Sequence, residues 1–300
     1  MTGFTAADVP DQSGKTIIVT GSNTGIGFEA AKVLAARGAR VLLACRSRDK
    51  AEAAMRRIGT EVSGADLAFL PLDQADIASV RAAADLAVKE SRIDVLLNNA
   101  GVMIPPLTRT VQGFELQFGV NHLGTFALTG LLLPKLAETP GSRVVITSSI
   151  AHKRGRIDFD NLGAAKGYNR MNFYAQSKLA NALFMLELDK RLRAAGSPVS
   201  VMGCHPGVAA SELMRYVPLG GLVAPLMGLF LNTAEQGAWP ALQASTDPAA
   251  RSGSYWGSQG MREMRGASGP AMREKNALDA NVARRLWEVS VSLTGVDPAI

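Results

Sequence analysis

The sequence of 300 residues contains only two cysteines, Cys45 and Cys204, and only three histidines. Two cysteines this far apart provide neither a disulfide framework nor the paired spacing of a zinc site. The histidines, at positions 122, 152 and 205, are equally dispersed. The sequence therefore predicts no metal site and no disulfide scaffold.

Charge is also sparse, since charged residues make up only 19% of the chain. The formal net charge is +6, but the arginines are scattered over the whole length, and no basic run is flanked by aromatic residues. A basic surface suits a polyanionic cofactor as well as a nucleic acid. We therefore expect no nucleic-acid partner.

Long apolar runs are missing as well. The first 13 residues lack the basic start and apolar run of a secretory signal. The longest apolar stretch, residues 217–231, is too short to span a bilayer and is interrupted by Pro218 and Pro225. These features predict a soluble, cytoplasmic protein with no integral membrane segment.

The chain does contain a regular alternation of short β-rich runs and longer helical stretches. The strand candidates are apolar almost throughout, as strands buried on both faces are, and cover residues 16–20, 40–44, 67–71, 95–98, 144–147 and 199–204. Helical spacing covers residues 26–36, 49–58, 77–90, 114–136 and 174–193. Gly38 is placed to end the first helix. This alternation predicts an α/β fold, a single doubly wound Rossmann domain over residues 1–300, whose parallel sheet has helices on both faces.

The alternation stops after Pro206. Residues 207–240 are apolar and rich in glycine and proline. They follow the C-terminal end of a strand, where ligands bind in open α/β sheets. We therefore expect this segment to cover the substrate, with ordinary core packing as the alternative.

A glycine-rich stretch, TGSNTGIG at residues 20–27, joins the first predicted strand to the first helix. Its glycines allow a tight turn and a close approach to a pyrophosphate, which backbone N–H groups and the helix dipole then hold. The stretch predicts dinucleotide binding by Gly21, Ser22, Asn23, Thr24, Gly25, Ile26 and Gly27.

The end of the second strand bears on the choice between NAD(H) and NADP(H). A cofactor without a 2′-phosphate needs a carboxylate there, but Cys45 occupies the place and Arg46 follows it. A guanidinium can hold a phosphate through two hydrogen bonds. We therefore predict NADP(H), with Ser47 and Arg48 as further candidates for the phosphate site. The alternative is that Arg46 is a solvated cation at the start of a helix.

Further cofactor contacts are expected where the third and fourth strands end. Asp73 could accept a hydrogen bond from the adenine amine, or it could be the N-terminal cap of nearby helical turns. Gln74 follows it. The small residues around Asn99, Ala100 and Gly101 would let the backbone pass close to the adenosine ribose.

Taken together, the motifs resemble the short-chain dehydrogenase/reductase family. The matching strings occur in the family's order: TGSNTGIG at 20–27, NNAG at 98–101, Asn121 in VNHLGTF, Ser148-Ser149, YAQSK at 174–178 and HPG at 205–207. The resemblance implies that Tyr174 is the general acid or base and that Ser149 hydrogen-bonds the substrate oxygen, with Ser148 as the second candidate. It also implies that Asn121 holds a water linking Lys178 to solvent.

The spacing of Tyr174 and Lys178 makes chemical sense. Residues four apart on a helix project from the same face. A free tyrosine has a pKa of about 10, too high for a base near neutrality. The Lys178 ammonium and an oxidised nicotinamide are therefore expected to lower the pKa of Tyr174. Each residue alone could have an ordinary structural role.

The resemblance also places the backbone of Pro206, Gly207 and Val208 against the nicotinamide carboxamide. Ser211 supplies a hydroxyl where relatives commonly have threonine. His205 is expected to pack rather than to catalyse.

The stretch between Ser149 and Tyr174, which includes Tyr168, is longer than in many family members. With SKLANALF at 177–184 and RLWEVSVSLTG at 285–295, it resembles the retinol dehydrogenase and protochlorophyllide reductase branch. That resemblance implies a bulky apolar aldehyde, ketone or alcohol as substrate, of which a retinoid is one candidate. Light-driven reduction is not expected, because no cysteine lies beyond Cys204. The family often forms homo-oligomers through the helices that contain Phe114 and Tyr174.

Two other function classes were weighed. A protein that binds NADP(H) without turnover would be expected to lack Tyr174 or Lys178, and both are present. A peripheral membrane protein anchored through residues 217–231 would need an amphipathic charge pattern that this stretch lacks. The sequence favours an enzyme.

Overall fold

The computed structural model describes residues 3–208 and 231–300, which contain an eight-stranded sheet in the order β3-β2-β1-β4-β5-β6-β7-β8. The strands are β1 Thr16–Thr20, β2 Arg40–Cys45, β3 Leu67–Pro71, β4 Val95–Asn98, β5 Arg143–Thr147, β6 Ser200–His205, β7 Tyr255–Gly260 and β8 Arg265–Pro270. The pairs from β3 to β7 are parallel, and β8 runs antiparallel to β7. The six predicted strands are confirmed. Strands β7 and β8 were not predicted, since their glycine-rich strings YWGSQG and RGASGP contain no β-branched residue.

The described helices lie on both faces of the sheet, as predicted. They are α1 Gly25–Ala36, α2 Arg48–Glu61, α3 Ile77–Ala87, α4 Leu116–Ala137, α5 Arg170–Ala194, α6 Ala234–Thr246 and α7 Ala280–Thr294. Gly38, with a φ of +89°, follows the end of α1 as expected. Helix α5 begins before the predicted residue 174 because the Asn169 side chain accepts hydrogen bonds from the N–H groups of Met171 and Asn172.

Helix α4 contains a feature that the sequence analysis did not predict. Residues Gly119–Gly124 form a π-helical turn between two α-helical parts, and Asn121 lies inside it. Such turns are rare and are frequent at functional sites. By length and composition α4 could cross a membrane, but 83% of its apolar window is buried in the protein, as in the core helix of a soluble fold. The cytoplasmic location stays a prediction.

Two hydrophobic layers hold the sheet between the helices. One layer joins the sheet to α3, α4 and α5 and includes Phe126 and Phe184, while the other joins it to α1, α2 and α6 and includes Leu34 and Ile58. Trp287 of α7 packs edge-on against Phe126, with ring centroids 5.1 Å apart. Helix α7 therefore packs on α4, and the homo-oligomer stays a prediction.

The prediction that residues 207–240 cover the substrate is corrected for residues 234–240. Helix α6 starts after Thr233, whose hydroxyl accepts a hydrogen bond from the Gln236 N–H group, while Gln236 Oε1 accepts one from the Thr233 N–H group. Ala238 and Leu242 of this helix are buried in the core. Residues 234–240 therefore belong to a packed helix. The part of the prediction that falls on residues 209–230, including Ser211, lies outside the described residues.

Candidate active site

A cavity of about 400 Å³ lies at the C-terminal ends of β1, β2, β4 and β5. This is the topological switch point of the sheet, where β1 pairs with β2 on one side and β4 on the other. Most predicted site residues line it: Gly21, Asn23, Thr24, Gly25, Ile26, Gly27, Arg46, Ser47, Asp73, Gln74, Asn99, Ala100, Gly101, Tyr174, Lys178 and Pro206. We call the part near residues 20–27 and Arg46 the cofactor end, and the part near Tyr174 and Lys178 the catalytic end.

The glycine-rich stretch at the cofactor end is packed too tightly for side chains at two positions. A Cβ atom on Gly27 would lie 2.4 Å from the Gly21 carbonyl oxygen and 2.5 Å from Asn99 Nδ2. Gly21 itself has a φ of +67°, in the left-handed region. The Thr24 side chain makes no capping hydrogen bond at the start of α1, so the first N–H groups of that helix stay available to an anion. These features fit a pyrophosphate.

The side chains of Thr20 and Ser22, at the start of the glycine-rich stretch, make hydrogen bonds within the protein. The Ser22 hydroxyl is buried and donates to the Val19 carbonyl oxygen at 2.9 Å, and the cofactor contact of Ser22 through the backbone stays a prediction. The Thr20 hydroxyl accepts hydrogen bonds from the N–H groups of Asn99 and Ala100, at 3.0 and 2.9 Å. This link between the ends of β1 and β4 was missed, because the partners are 79 and 80 residues apart.

The cationic side chains expected around a 2′-phosphate differ in their surroundings. Arg46 lines the cavity with 77% of its side chain exposed, and its Nη1 lies 4.0 Å from Asp73 Oδ2. Lys50 lines the same part of the cavity and was not predicted. Arg48 does not line it: its guanidinium stacks over Phe69, 4.8 Å from the ring centroid. Arg46 and Lys50 are therefore the cations placed to meet a phosphate.

The residues after β3 also separate into different roles. Asp73 Oδ1 accepts a hydrogen bond from the Ala75 N–H group at 2.9 Å, whereas the cap of α3 is Asp76. Asp73 therefore caps the turn that precedes α3, in agreement with the alternative that it caps nearby helical turns. Gln74 is buried, and its Nε2 donates to the Val120 carbonyl oxygen and the Thr125 hydroxyl of α4.

Tyr174 and Lys178 lie together on α5 at the catalytic end, and both are almost fully buried, at 8% and 4% exposure. Lys178 Nζ lies 6.0 Å from the centre of the Tyr174 ring and donates to the Thr147 carbonyl oxygen at 3.3 Å. A Cβ atom on Gly101 would lie 3.4 Å from Lys178 Nζ. The glycine thus leaves room for the ammonium.

Burial governs the protonation of this pair. It lowers the pKa of Lys178 to about 8. It also raises the pKa of Tyr174, and a hydrogen bond with Ser149 opposes this effect only in part. Lys178 is not among the causes that shift the pKa of Tyr174, and the predicted lowering by Lys178 and an oxidised nicotinamide stays a prediction. The phenol keeps its proton at neutral pH.

The two adjacent serines after β5 have different partners. The buried Ser148 hydroxyl donates to the Lys178 carbonyl oxygen at 2.7 Å and so fastens β5 to α5. The Ser149 hydroxyl accepts from the Ala151 N–H group at 3.2 Å and lies beside the Tyr174 phenol. Although it is not among the cavity-lining residues, Ser149 is the serine placed to meet an atom bound next to Tyr174.

Asn121 braces the catalytic end from the π-helical turn. Its Oδ1 accepts from the Val102 N–H group at 2.7 Å, and its Nδ2 donates to the Val102 carbonyl oxygen and to the Ser177 hydroxyl, both at 2.9 Å. Both N–H groups of the amide are thus used within the protein. The water link between Lys178 and solvent stays a prediction.

The HPG motif is held by the turn between β7 and β8. The Gly207 N–H group donates to His205 Nδ1 at 3.2 Å, and His205 Nε2 lies 3.4 Å from Glu263 Oε2. Glu263 also pairs with Lys153 at 2.8 Å, and its contact with His205 is the main cause that lowers the pKa of its carboxyl group to about 2. The Val208 N–H group donates to a carbonyl oxygen of the same turn. His205 therefore packs and positions, as expected, and neither Gly207 nor Val208 lines the cavity.

Comparison with known families gives one match over most of the chain. The family model described as short chain dehydrogenase matches residues 15–219. That range starts just before β1 and passes beyond the HPG motif, so it includes the glycine-rich stretch and the Tyr174–Lys178 pair.

Known proteins show the same similarity over nearly the full length. Human retinol dehydrogenase 13 is 44% identical over 294 residues, covering 95% of this chain and 86% of that protein. Mouse retinol dehydrogenase 11 is 44% identical over 286 residues, covering 94% of this chain and 87% of that protein.

Among solved structures, an uncharacterized protein from Mycobacterium paratuberculosis is 40% identical and covers 100% of both chains with a TM-score of 0.84. The Pseudomonas aeruginosa RhlG/NADP active-site complex is 25% identical, with a TM-score of 0.63 over 82% of this chain and 95% of that one.

Proposed function

This chain belongs to the short-chain dehydrogenase/reductase family, an oxidoreductase family that acts on CH–OH and C=O groups, and we propose that it reduces bulky apolar aldehydes or ketones with NADPH. The observation that carries this proposal is the buried Tyr174–Lys178 pair at one end of a cavity whose other end is the glycine-rich stretch. A hydride donor held along the cavity would have its nicotinamide beside a protonated phenol.

The residues at the end of β2 support NADPH over NADH. No carboxylate stands at Cys45 or Arg46, where one would hold the ribose hydroxyls of NAD(H). Arg46 and Lys50 line this part of the cavity instead, and the exposed guanidinium is free to hold a phosphate bidentately. RhlG, a solved structure of similar fold, is described with NADP in its active site.

The chain's own groups account for the proton in the proposed reduction. When bound, the cofactor supplies the hydride. Tyr174 donates its proton to the substrate oxygen, and its raised pKa keeps that proton in place until the negative charge develops. The Ser149 hydroxyl, beside the phenol, can turn its O–H toward the same oxygen and stabilise the charge. Lys178, with a pKa of about 8, is mostly charged at neutral pH and favours return of a proton to the site.

The proposed substrate class is supported by the apolar residues that line the cavity. Met103, Pro105, Leu116 and Val120 line the cavity and offer apolar surface. Apolar walls with few polar groups suit a hydrophobic substrate with one reactive oxygen. The retinol dehydrogenases that resemble this chain are named for such a molecule. A retinoid-sized aldehyde is therefore the first substrate to test.

The test is NADPH and NADH oxidation by the purified protein against aldehydes and ketones of graded size, including retinal. We expect turnover with NADPH to exceed that with NADH and to favour the bulky apolar carbonyls. Tyr174→Phe should lower kcat by roughly 10²- to 10⁴-fold, the range for loss of a general acid. Tight NADPH binding by the wild type without turnover of any carbonyl would contradict the proposal and favour a nucleotide-binding protein without catalysis.

A further inference from the structure

The loop that follows β4, residues 102–106, lines the cavity through Val102, Met103 and Pro105, and it starts directly after Gly101, where a Cβ atom would lie 3.4 Å from Lys178 Nζ at the catalytic end. Its central residue, Ile104, is 8% exposed and has a φ of +46°. The left-handed region is unusual for any residue with a Cβ atom, and a β-branched residue there is an outlier. Such a conformation persists only where the surroundings impose it.

The surroundings that impose it are side chains from elsewhere in the chain. Gln117 Oε1 accepts a hydrogen bond from the Ile104 N–H group at 2.8 Å. The Tyr168 hydroxyl donates to the Pro105 carbonyl oxygen at 3.0 Å. Asn121 makes two further hydrogen bonds to the backbone of Val102. Side chains from outside the loop thus hold the backbone of Val102, Ile104 and Pro105.

Gln117 and Tyr168 also hold each other. Gln117 Nε2 donates to the Tyr168 hydroxyl at 2.9 Å and to the Arg170 carbonyl oxygen at 3.0 Å. The Tyr168 hydroxyl therefore both accepts and donates. Burial, and then the negative charge of Glu115, raises the pKa of Tyr168 to about 12, so that the hydroxyl stays a donor over the working range of pH.

We propose that Gln117 and Tyr168 are positioning residues that hold residues 102–106 in this strained shape and thereby set which carbonyl sizes the catalytic end accepts. The inference rests on the proposed carbonyl reduction. If the hydrogen bonds are lost, Ile104 can relax to a negative φ, and Met103 and Pro105, its neighbours in the wall, move with it. The cofactor end is built from other segments and is unaffected.

The direct test is Tyr168→Phe, which removes one hydroxyl and keeps the ring that packs on Phe173, with centroids 5.0 Å apart. We expect KM for a bulky aldehyde to rise about fivefold, the effect of one hydrogen bond, with KM for a short aldehyde and for NADPH nearly unchanged. Gln117→Met should act in the same direction. The double variant should lose less than the product of the two single losses, because the residues share one network.

A second readout does not depend on turnover. Hydrogen exchange of the Ile104 amide should speed up at least tenfold in Gln117→Met, since its acceptor is removed. The matched control is Gln12→Met: Gln12 is equally buried but donates to the carbonyl oxygens of Pro10 and Asp11, outside the cavity. It should leave both the exchange and the size preference unchanged.

The outcomes separate the two proposals. An unchanged ratio of KM values for large and small aldehydes in Tyr168→Phe would overturn the inference while leaving the carbonyl reductase intact. An equal fall in kcat for all substrates, together with a lower Tm, would show a merely structural role and also overturn it. If the wild type reduces no carbonyl, the proposed function fails and size selection fails with it, whereas exchange at Ile104 still reports whether the two side chains hold the loop.

Discussion

The two ends of the cavity are built in different ways. The cofactor end consists largely of consecutive backbone, residues 20–27, with exposed cations such as Arg46 at its rim. The catalytic end consists of side chains from separate elements. Tyr174 of α5 lies beside Ser149. Asn121 of α4 hydrogen-bonds to Val102 and Ser177. One end is thus a local structure, and the other is a tertiary assembly.

This difference teaches how each end should respond to substitution. A backbone cradle binds by shape, so changes at the cofactor end should raise KM for the nucleotide. Buried groups around the reacting atoms act mainly in the transition state, so changes at the catalytic end should lower kcat. The predictions below test that division.

After Tyr174→Phe, the largest effect is expected at Ser149. Ser149→Ala should lower kcat by roughly 10²- to 10³-fold, as loss of an oxyanion donor does, with KM for NADPH unchanged. The matched control is Ser148→Ala, which removes the hydrogen bond to the Lys178 carbonyl oxygen and should cost about 1 kcal/mol of stability with a smaller loss of kcat. The reverse order of the two kcat losses, from steady-state kinetics, would make Ser148 the substrate-facing serine.

At the cofactor end, Gly27→Ala should raise KM for NADPH at least tenfold, because the new Cβ atom would collide with the Gly21 carbonyl and Asn99. Gly59→Ala is the control, since nothing lies within 4 Å of a Cβ atom there, and on α2 the alanine should stabilise the protein by about 0.5–1 kcal/mol. Fluorescence titration with NADPH and thermal unfolding measure the two effects. Unchanged nucleotide affinity in Gly27→Ala would mean that the loop adapts.

Arg46→Gln should weaken NADPH binding about tenfold and leave NADH binding unchanged, because the guanidinium meets only the extra phosphate. Arg48→Gln is the matched control, as that side chain stacks over Phe69 and pairs with Glu52 instead of lining the cavity. KM values for both nucleotides provide the measurement. Equal losses for NADPH and NADH would show that Arg46 does not distinguish them.

The smallest effect concerns the buried charge at the catalytic end. The pKa of Lys178 falls from 10.5 in the unfolded chain to about 8 in the folded one. Between these values the unfolded chain binds more protons at this residue, so the free energy of unfolding rises with pH across that window. Relative to Lys178→Met, the wild type should gain about 1–2 kcal/mol between about pH 8 and pH 9.5, measured by urea unfolding. Parallel curves for the two proteins would contradict a buried, desolvated ammonium.

The parts of the fold that sequence reasoning predicted well are those with a strong local signal. The central strands are continuous apolar runs, and the turn into α1 carries its glycines in order. The weak signals failed: β7 and β8 contain glycine where strands usually carry branched side chains, and the π-helical turn inside α4 has no spacing that marks it.

In the candidate site as well, residues in recognisable local motifs were predicted, and residues that act through tertiary contacts were not. Tyr174 and Lys178 were identified through the resemblance to the family, and their four-residue spacing places them on one face of a helix. The resemblance favoured Ser149 and left Ser148 as the second candidate, since neighbouring serines differ only in the partners that the fold brings to them. Lys50, Gln117 and the hydrogen bond between Thr20 and Asn99 were not predicted, because their partners are also set by the fold.

The sequence by itself determined the alternating α/β order, the glycine-rich turn, the absence of a carboxylate after β2 and the placement of the Tyr174–Lys178 pair on one helix face. These depend on residue type and short spacing alone. The tertiary structure alone decided that burial raises the pKa of Tyr174, that Ser148 is used to fasten α5, and that Gln117 and Tyr168 hold Ile104 in a left-handed conformation. Desolvation and hydrogen-bond partners depend on residues distant in the chain, so no local pattern encodes them.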